Sequence, residues 1–452
     1  MFTQYAGKNG ASRALTWKGA LWALVFFTLL CTGILSAQAD ADPERLHRAD
    51  LSGIAQIVQE EIQSGRIPGA VILVGNEGRI VYRQAFGYAA LEPERIPMGV
   101  GTLFDLASLT KVVATTTAVM QLVQEGKLDL NAPAARYWPA FGENGKEVIT
   151  VRELLTHYSG LAPDLNPRIP WRGYRGALGA IIAEKPVAAP GSRYLYSDIN
   201  FEALGEIVRR VSGEPLDVYC AEHIFRPLHM RETTFRPPAW KRYRIAPTEY
   251  LGGKLRWGKV HDPAAYRMGG VSGHAGLFST AGDLAIFAQM LLNGGTLHSV
   301  RILERRSVGR MTIPQSPPGK VRLRGLGWDL AAPFAPNRDD LLPVGAYDHT
   351  GFTGTLLWID PVSRTYVIIL TNRVYPFGKG NAGPLREAVV QLVSSHLGPL
   401  TDAEVAASRP RLGRYYATVN RPDVGPSHVQ TSMGGRKHHY VQKSSGNRPV
   451  SG

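Results

Sequence analysis

Apolar residues at Leu51, Ile54, Ile57, Val58 and Ile62 fall close to helical spacing, which predicts a helix over residues 46–64 ended by Gly65. The period then changes. Gly69-Ala-Val-Ile-Leu-Val-Gly75 and Arg79-Ile-Val-Tyr-Arg-Gln-Ala-Phe86 flank Asn76-Glu-Gly78, two β-rich runs about a turn that predict a hairpin. A third pattern starts at Leu103 and carries no charge between Lys111 and Glu125. It predicts a helix that opens at Ser108, is buried on most sides and runs to about Gly126 as its C′ residue. From Lys127 to about Arg310 the pattern is helical with long Pro/Gly loops, clearest at residues 151–156, 201–211, 216–224 and 281–292. Strand character returns at residues 325–330, 354–360 and 365–371, and a helix over 384–397 follows. This order predicts an α+β domain whose sheet joins the first and last segments, with the middle folded as an inserted helical subdomain. A cleft between the two parts is the natural site.

Composition limits the function classes. The 452 residues are 44% hydrophobic and 19% charged, enough for one large core or two joined subdomains. Residues 1–39 read as a signal peptide: Lys8, Arg13 and Lys18 precede an apolar run, and Ala37-Gln-Ala39 offers a small-x-small cleavage site before Asp40. The alternative is an N-terminal anchor, with membrane association through residues 19–39. Residues 40–398 form the expected domain, and residues 399–452 a polar, basic tail expected to be largely disordered. Cleavage would leave Cys220 as the lone cysteine, which excludes a disulfide framework and a cysteine-based metal site. The expected location is a bacterial periplasm or cell envelope. The net charge of +14 comes without a finger, aromatic platform or basic helix, so nucleic acid is not an expected partner.

Three clusters carry candidate chemistry. Ser108-Leu-Thr-Lys111 is the one Ser-x-x-Lys in the chain. On a helix, Lys111 lies one turn from Ser108, where a neutral amine could activate the hydroxyl. Burial would push the lysine pKa down, as a base requires. The plain alternative is a helix N-cap followed by a solvated lysine. Tyr194-Leu-Tyr-Ser-Asp-Ile-Asn200 offers Tyr196 as a phenol for proton transfer, or as an ordinary core tyrosine. Asp348-His-Thr-Gly-Phe-Thr-Gly354 offers close backbone approach and exposed amides for an oxyanion, or a Gly-rich turn.

Together, in this order, the clusters resemble the serine β-lactamase and penicillin-binding protein superfamily, especially its class C β-lactamase and D,D-carboxypeptidase branch. Ser108-Leu-Thr-Lys111 matches that family's Ser-x-x-Lys, Tyr196-Ser-Asp198 resembles its Tyr-x-Asn, and His349-Thr-Gly351 its Lys-Thr-Gly or His-x-Gly. Further stretches agree: Leu154-Leu-Thr-His-Tyr-Ser-Gly-Leu161, Gly273-His-Ala-Gly-Leu-Phe-Ser-Thr280 and Leu370-Thr-Asn-Arg373. The resemblance implies an antiparallel sheet flanked by helices with an inserted helical subdomain. It implies an acyl-serine hydrolase acting on a D-alanyl peptide, a β-lactam or an ester, with no metal or organic cofactor. Ser108 would attack, Lys111 and Tyr196 would share the proton transfers, and the amides of Ser108 and Phe352 would hold the oxyanion. Substrate contacts would come from Asp198, Asn200, His349, Thr350, Gly351 and Phe352. The rival reading is a degenerate penicillin-recognising or wall-peptide-binding module.

Two departures stand out. Asp198 replaces the family's asparagine, and a carboxylate beside Lys111 favours the charged amine unless it is neutral or turned away. Asn200 is a candidate to supply the missing amide. His349 replaces the lysine of true β-lactamases, leaving a cation only partly present at neutral pH to hold a substrate carboxylate. Both lean towards a peptidase or esterase.

Overall fold

The computed structural model describes Leu46 and residues 50–408, except residues 169, 331–344 and 399. The expected leader and most of the expected tail lie outside the described residues. Helix α1 (Gly53–Gln63) leads into β1 (Gly69–Asn76) and β2 (Arg79–Ala90), then the short β3 (Ile96–Pro97) and β4 (Phe104–Asp105). A 3₁₀ turn (Ala107–Leu109), a π-helical stretch (Lys111–Thr116) and α2 (Thr117–Gln124) follow without a break. The insert contributes α3 (Val151–Thr156), α4 (Gly173–Ala183), α5 (Asp198–Ser212), α6 (Leu216–Cys220), β5 (Thr234–Phe235), α7 (Pro263–Arg267), β6 (Leu277–Ser279), α8 (Ala281–Leu292) and α9 (Arg305–Met311). The chain closes with β7 (Tyr347–Thr350), β8 (Leu356–Asp360), β9 (Thr365–Thr371) and α10 (Gly383–Leu397).

The main sheet has the order β7-β8-β9-β1-β2-β3, with every pair antiparallel. β1 pairs with β9, Leu73 opposite Ile368, so the first and last segments meet at the centre as the pattern predicts. Side chains alternate across a strand, so β1 feeds two cores. Ala70, Ile72 and Val74 pack with Ile54 and Val58 of α1 and Leu385 and Val389 of α10. Val71 and Leu73 pack on the other side with Leu284 and Phe287 of α8 and Val119 of α2. Burial on both faces explains why β1 reads as an unbroken apolar run.

The insert is less purely helical than its pattern suggests. β4, β6 and β5 form a second sheet in that order, short enough to escape a period-2 test. The strand expected at residues 325–330 is reduced to isolated bridges, Arg324 with Asp329 and Asp329 with Asp348, the latter covering the outer edge of β7. Helical structure also continues past residue 398, over residues 402–408. There Thr401 and Glu404 bond each other's backbone amides as a capping box.

Candidate active site

Ser108 sits where the second sheet meets the edge of the first. The Leu106 amide donates to Leu277 O, and the Leu106 carbonyl accepts from Thr355 Oγ1 at 3.0 Å. Thr353 Oγ1 donates to the carbonyl of Asp105 at 2.7 Å. Gly351 passes so close to the Leu106 carbonyl that a β-carbon there would collide with it. The segment before the serine is therefore held from both sides. Asp105 completes the clamp: its carboxylate accepts from the amides of Ala107 (2.9 Å) and His261 (2.6 Å). Ala107 is left in the left-handed region, φ 47°, a conformation that a non-glycine residue holds only when its surroundings impose it.

Lys111 is wholly buried, and its Nζ donates to Ser108 Oγ at 2.9 Å and to His274 O at 3.3 Å. Asp198, the first residue of α5, faces it: Oδ1 lies 2.7 Å from Nζ. The Tyr196 ring lies 4.9 Å and the Phe201 ring 5.8 Å from the same nitrogen. Burial is the largest influence and favours the neutral amine, but Asp198 and Tyr196 outweigh it and raise the lysine pKa above its ordinary value. The expectation of a neutral, desolvated lysine is corrected: Asp198 is turned towards it and holds an ammonium. The reason is that an unpaired buried charge is far costlier than a paired one.

Asn200 is placed elsewhere. Two residues along a helix rotate a side chain by roughly 200°, so a residue two places from Asp198 points the other way. Asn200 is buried behind the site, its Oδ1 accepting from Ser159 Oγ at 2.6 Å. It does not supply the missing amide.

The cleft beside Ser108 has a volume of about 1190 Å³, and Tyr196, Asp198, Thr350, Gly351 and Phe352 line it. His349 does not. Its ring is buried and its Nδ1 lies 2.8 Å from the carbonyl of Thr350. Burial, then the nearby cations Arg324 and Lys111, push its pKa well below 6.5. The expected partial cation is therefore a neutral imidazole, which corrects the carboxylate-anchor assignment. The arginines of the cleft are Arg373 and Arg386, on the side of Gly351 and Phe352, together with Arg267. Arg373 Nε donates to Phe352 O at 2.8 Å, and Arg386 Nη2 donates to Gly351 O at 2.7 Å. Burial lowers the Arg386 pKa to about 10, so it stays charged at neutral pH, and its buried Nε has no protein partner among the described residues.

Asp164, Asp198 and Asp262 line the cleft as well, giving it an acidic side. Polar atoms of Asp198, Asp262 and His274 converge within 4.8 Å, the one such group among the described residues that could hold a metal ion. Lys111 already pairs with Asp198, and His274 Nε2 lies 2.8 Å from Asp262 Oδ1, so the protein's own cations fill that role.

The Beta-lactamase family model matches residues 54–391. The chain belongs to the β-lactamase family. A relative in Escherichia coli (strain K12), named "Putative D-alanyl-D-alanine carboxypeptidase", is 35% identical over 376 residues, covering 74% of this chain and 84% of that protein. A solved β-lactamase/D-alanine carboxypeptidase from Pseudomonas syringae superposes with a TM-score of 0.64 at 20% identity, over 78% of this chain and all of the other. A penicillin-binding protein homologue from Pyrococcus abyssi gives 0.63 at 23% identity, over 78% of each chain. As a β-lactamase-family member the chain is a serine hydrolase.

Several residues of this β-lactamase-family site carry no motif signal of their own. Asp105, His261 and Asp262 are lone polar residues in the sequence, and their roles appear only when β4 and α7 come together. His157, His274 and Arg373 stand inside stretches that resemble the family, but resemblance alone gives them no role.

His274 generates a test. Burial disfavours its charge, but Asp262 and Asp198 outweigh this and lift its pKa to about 9 from the ordinary 6.5, with Glu202 and Ser272 on its other nitrogen. The folded state thus binds this proton more tightly, and the stabilisation is complete below pH 6.5 and fades as pH rises to about 9. Burial also raises Glu202, to about 7, so its own contribution is spent by the time pH passes that value. Melting temperature followed from pH 7 to 9 should fall in the wild type and stay flatter in His274→Gln. Equal slopes would contradict the assignment.

Proposed function

We propose that this chain is a D-alanyl-D-alanine carboxypeptidase working through an acyl-serine. One observation carries the reading: a serine bonded by a buried ammonium opens onto a cleft with an acidic side and an arginine side. A substrate bearing a free carboxylate is drawn to Arg373 and Arg386 and away from Asp164, the cleft aspartate without an ion-pair partner among the described residues. The Arg386 guanidinium lines the cleft and offers a charge-assisted donor for such a group. The names of the related carboxypeptidases support the same substrate class.

Paired with Asp198, Lys111 is an ammonium with no lone pair to accept a proton, so the serine's own proton goes elsewhere. Tyr196 lines the same cleft and, entering the reaction as a phenolate beside the Lys111 ammonium, is the group that takes it. Ser108 Oγ then bonds to the substrate carbonyl carbon, and the amides of Ser108 and Phe352 hold the oxyanion. No backbone hydrogen bond among the described residues occupies either amide. Tyr196 returns its proton to the departing D-alanine nitrogen as the C–N bond breaks. Water attacks the acyl-serine by the same route in reverse, giving up its proton to Tyr196 and restoring Ser108. The fixed ammonium stabilises negative charge on the phenol oxygen at each transfer.

The test compares D-alanyl-D-alanine peptides with the neutral ester p-nitrophenyl acetate. Ser108→Ala should abolish turnover of both. Arg386→Ala should raise KM for the peptide about tenfold, in line with a charge-assisted bond of about 1.5–3 kcal/mol, and leave the ester unchanged. Equal effects on both would overturn the carboxylate assignment. One stable adduct without release would favour a binding module instead.

The reading includes export to the cell envelope, supported by Lys8, Arg13 and Lys18 ahead of an apolar run and by Ala37-Gln-Ala39. N-terminal sequencing of the mature protein should begin at Asp40. Residues 1–39 retained on membrane-bound protein would favour the anchor.

A further inference from the structure

His157 lies behind the site, outside the cleft lining, and carries three unusual features at once. It is wholly buried, its backbone is left-handed with φ 61°, and its Nε2 is buried with no protein partner among the described residues. A residue needed only to end α3 would favour glycine or asparagine at this left-handed position. One needed only to fill the core would avoid a polar edge. Neither role explains histidine, so the explanation must lie in what the ring touches.

It touches the segment that presents Tyr196. The imidazole stacks on the Tyr196 ring, 4.3 Å between centroids with planes 26° apart. Its Nδ1 accepts from the Ser197 amide at 3.0 Å, and its carbonyl accepts from the Leu195 amide at 2.9 Å. The residues on both sides of Tyr196 are thus bonded to one histidine whose ring also carries the phenol. A backbone amide can only donate, so Nδ1 keeps its lone pair and the ring proton belongs to Nε2. Burial, then Arg324, Lys111 and His349, lower the His157 pKa well below 6.5, which agrees with that neutral form. The ring also packs 5.3 Å from Phe201, which itself borders the Lys111 ammonium.

We propose that His157 is the positioning residue for Tyr196: its ring face and its Nδ1 acceptor fix the phenol against the Ser108–Lys111 pair. The inference rests on the proton-transfer role of Tyr196 given above. His157 touches no substrate; it acts through the tyrosine alone.

A double-mutant cycle tests this, with acylation of Ser108 by p-nitrophenyl acetate as the readout. His157→Phe keeps an aromatic face and removes the acceptor. His157→Asn suits the left-handed backbone and keeps an acceptor near the Nδ1 position, but removes the ring. Tyr196→Phe should lower kcat/KM by about 10²-fold or more, as loss of a general acid–base group does. His157→Phe should lower it at least tenfold, mainly in kcat, with the melting transition retained, and His157→Asn should recover part of that loss. In the Tyr196→Phe background either His157 change should have almost no further effect. Should His157→Phe not fold, the same comparison with His157→Asn decides the matter. Effects of His157 and Tyr196 that multiply independently would overturn the inference, as would a His157→Phe enzyme of wild-type activity beside an impaired Tyr196→Phe. A silent Tyr196→Phe would instead overturn the tyrosine's role and this inference with it.

Discussion

The ion pair between Lys111 and Asp198 is the constraint on which the rest of the site depends. A lysine with no exposed surface cannot remain charged without a partner, and the carboxylate at the first turn of α5 supplies one at 2.7 Å. The pair joins the nucleophile's helix to α5 of the inserted helical body. It therefore holds the two walls of the cleft as well as the protonation state of the amine. The cost of burying the charges is offset by further bonds, from Nζ to Ser108 Oγ and to the carbonyl of His274. His274 extends the pattern: a second buried cation pairs with Asp262, so two of the cleft's three aspartates are compensated from within the protein. The uncompensated carboxylate is Asp164, which forms no ion pair among the described residues and whose pKa is raised, by burial and then by its acidic neighbours.

Much of the fold was legible because its strongest signals are local. β1 announces itself as an unbroken apolar run, since α8 and α10 cover its two faces, and residues 151–156, 281–292 and 365–371 form the elements their patterns predict. What escaped was short or long-range. β4, β5 and β6 have two or three residues each and pair only across large sequence separations, so no periodicity marks them. The helix expected to open at Ser108 begins instead as a 3₁₀ turn and a π-helical stretch. Local propensity does not specify that change of pitch; it places Ser108 and Lys111 together under the clamp of Asp105, Thr353 and Thr355.

The site shows the same division. The spacing of Ser108 and Lys111 was legible, whereas the charge on the lysine was not, because it depends on which way Asp198 leaves the start of α5. His349 appears as a half-cation in the sequence, yet burial at the sheet edge beside Arg324 makes it neutral. Two arginines that do face the cleft, Arg373 and Arg386, come from the chain after β9 and from α10, and only tertiary folding brings them to Gly351 and Phe352. Asn200 was chosen for its chemistry and fails on helical phase.

The account stands on Lys111 being an ammonium that stabilises charge rather than a neutral amine that accepts the serine proton. The pH dependence of Ser108 acylation in Asp198→Asn, compared with the wild type, separates the two most directly. Removing the carboxylate leaves burial opposed only by Tyr196, so the lysine loses its proton at lower pH. The alkaline loss of acylation should move to lower pH in Asp198→Asn, with no gain in rate at neutral pH. A variant that acylates faster than wild type at neutral pH would show that the neutral amine is the base, and would contradict it.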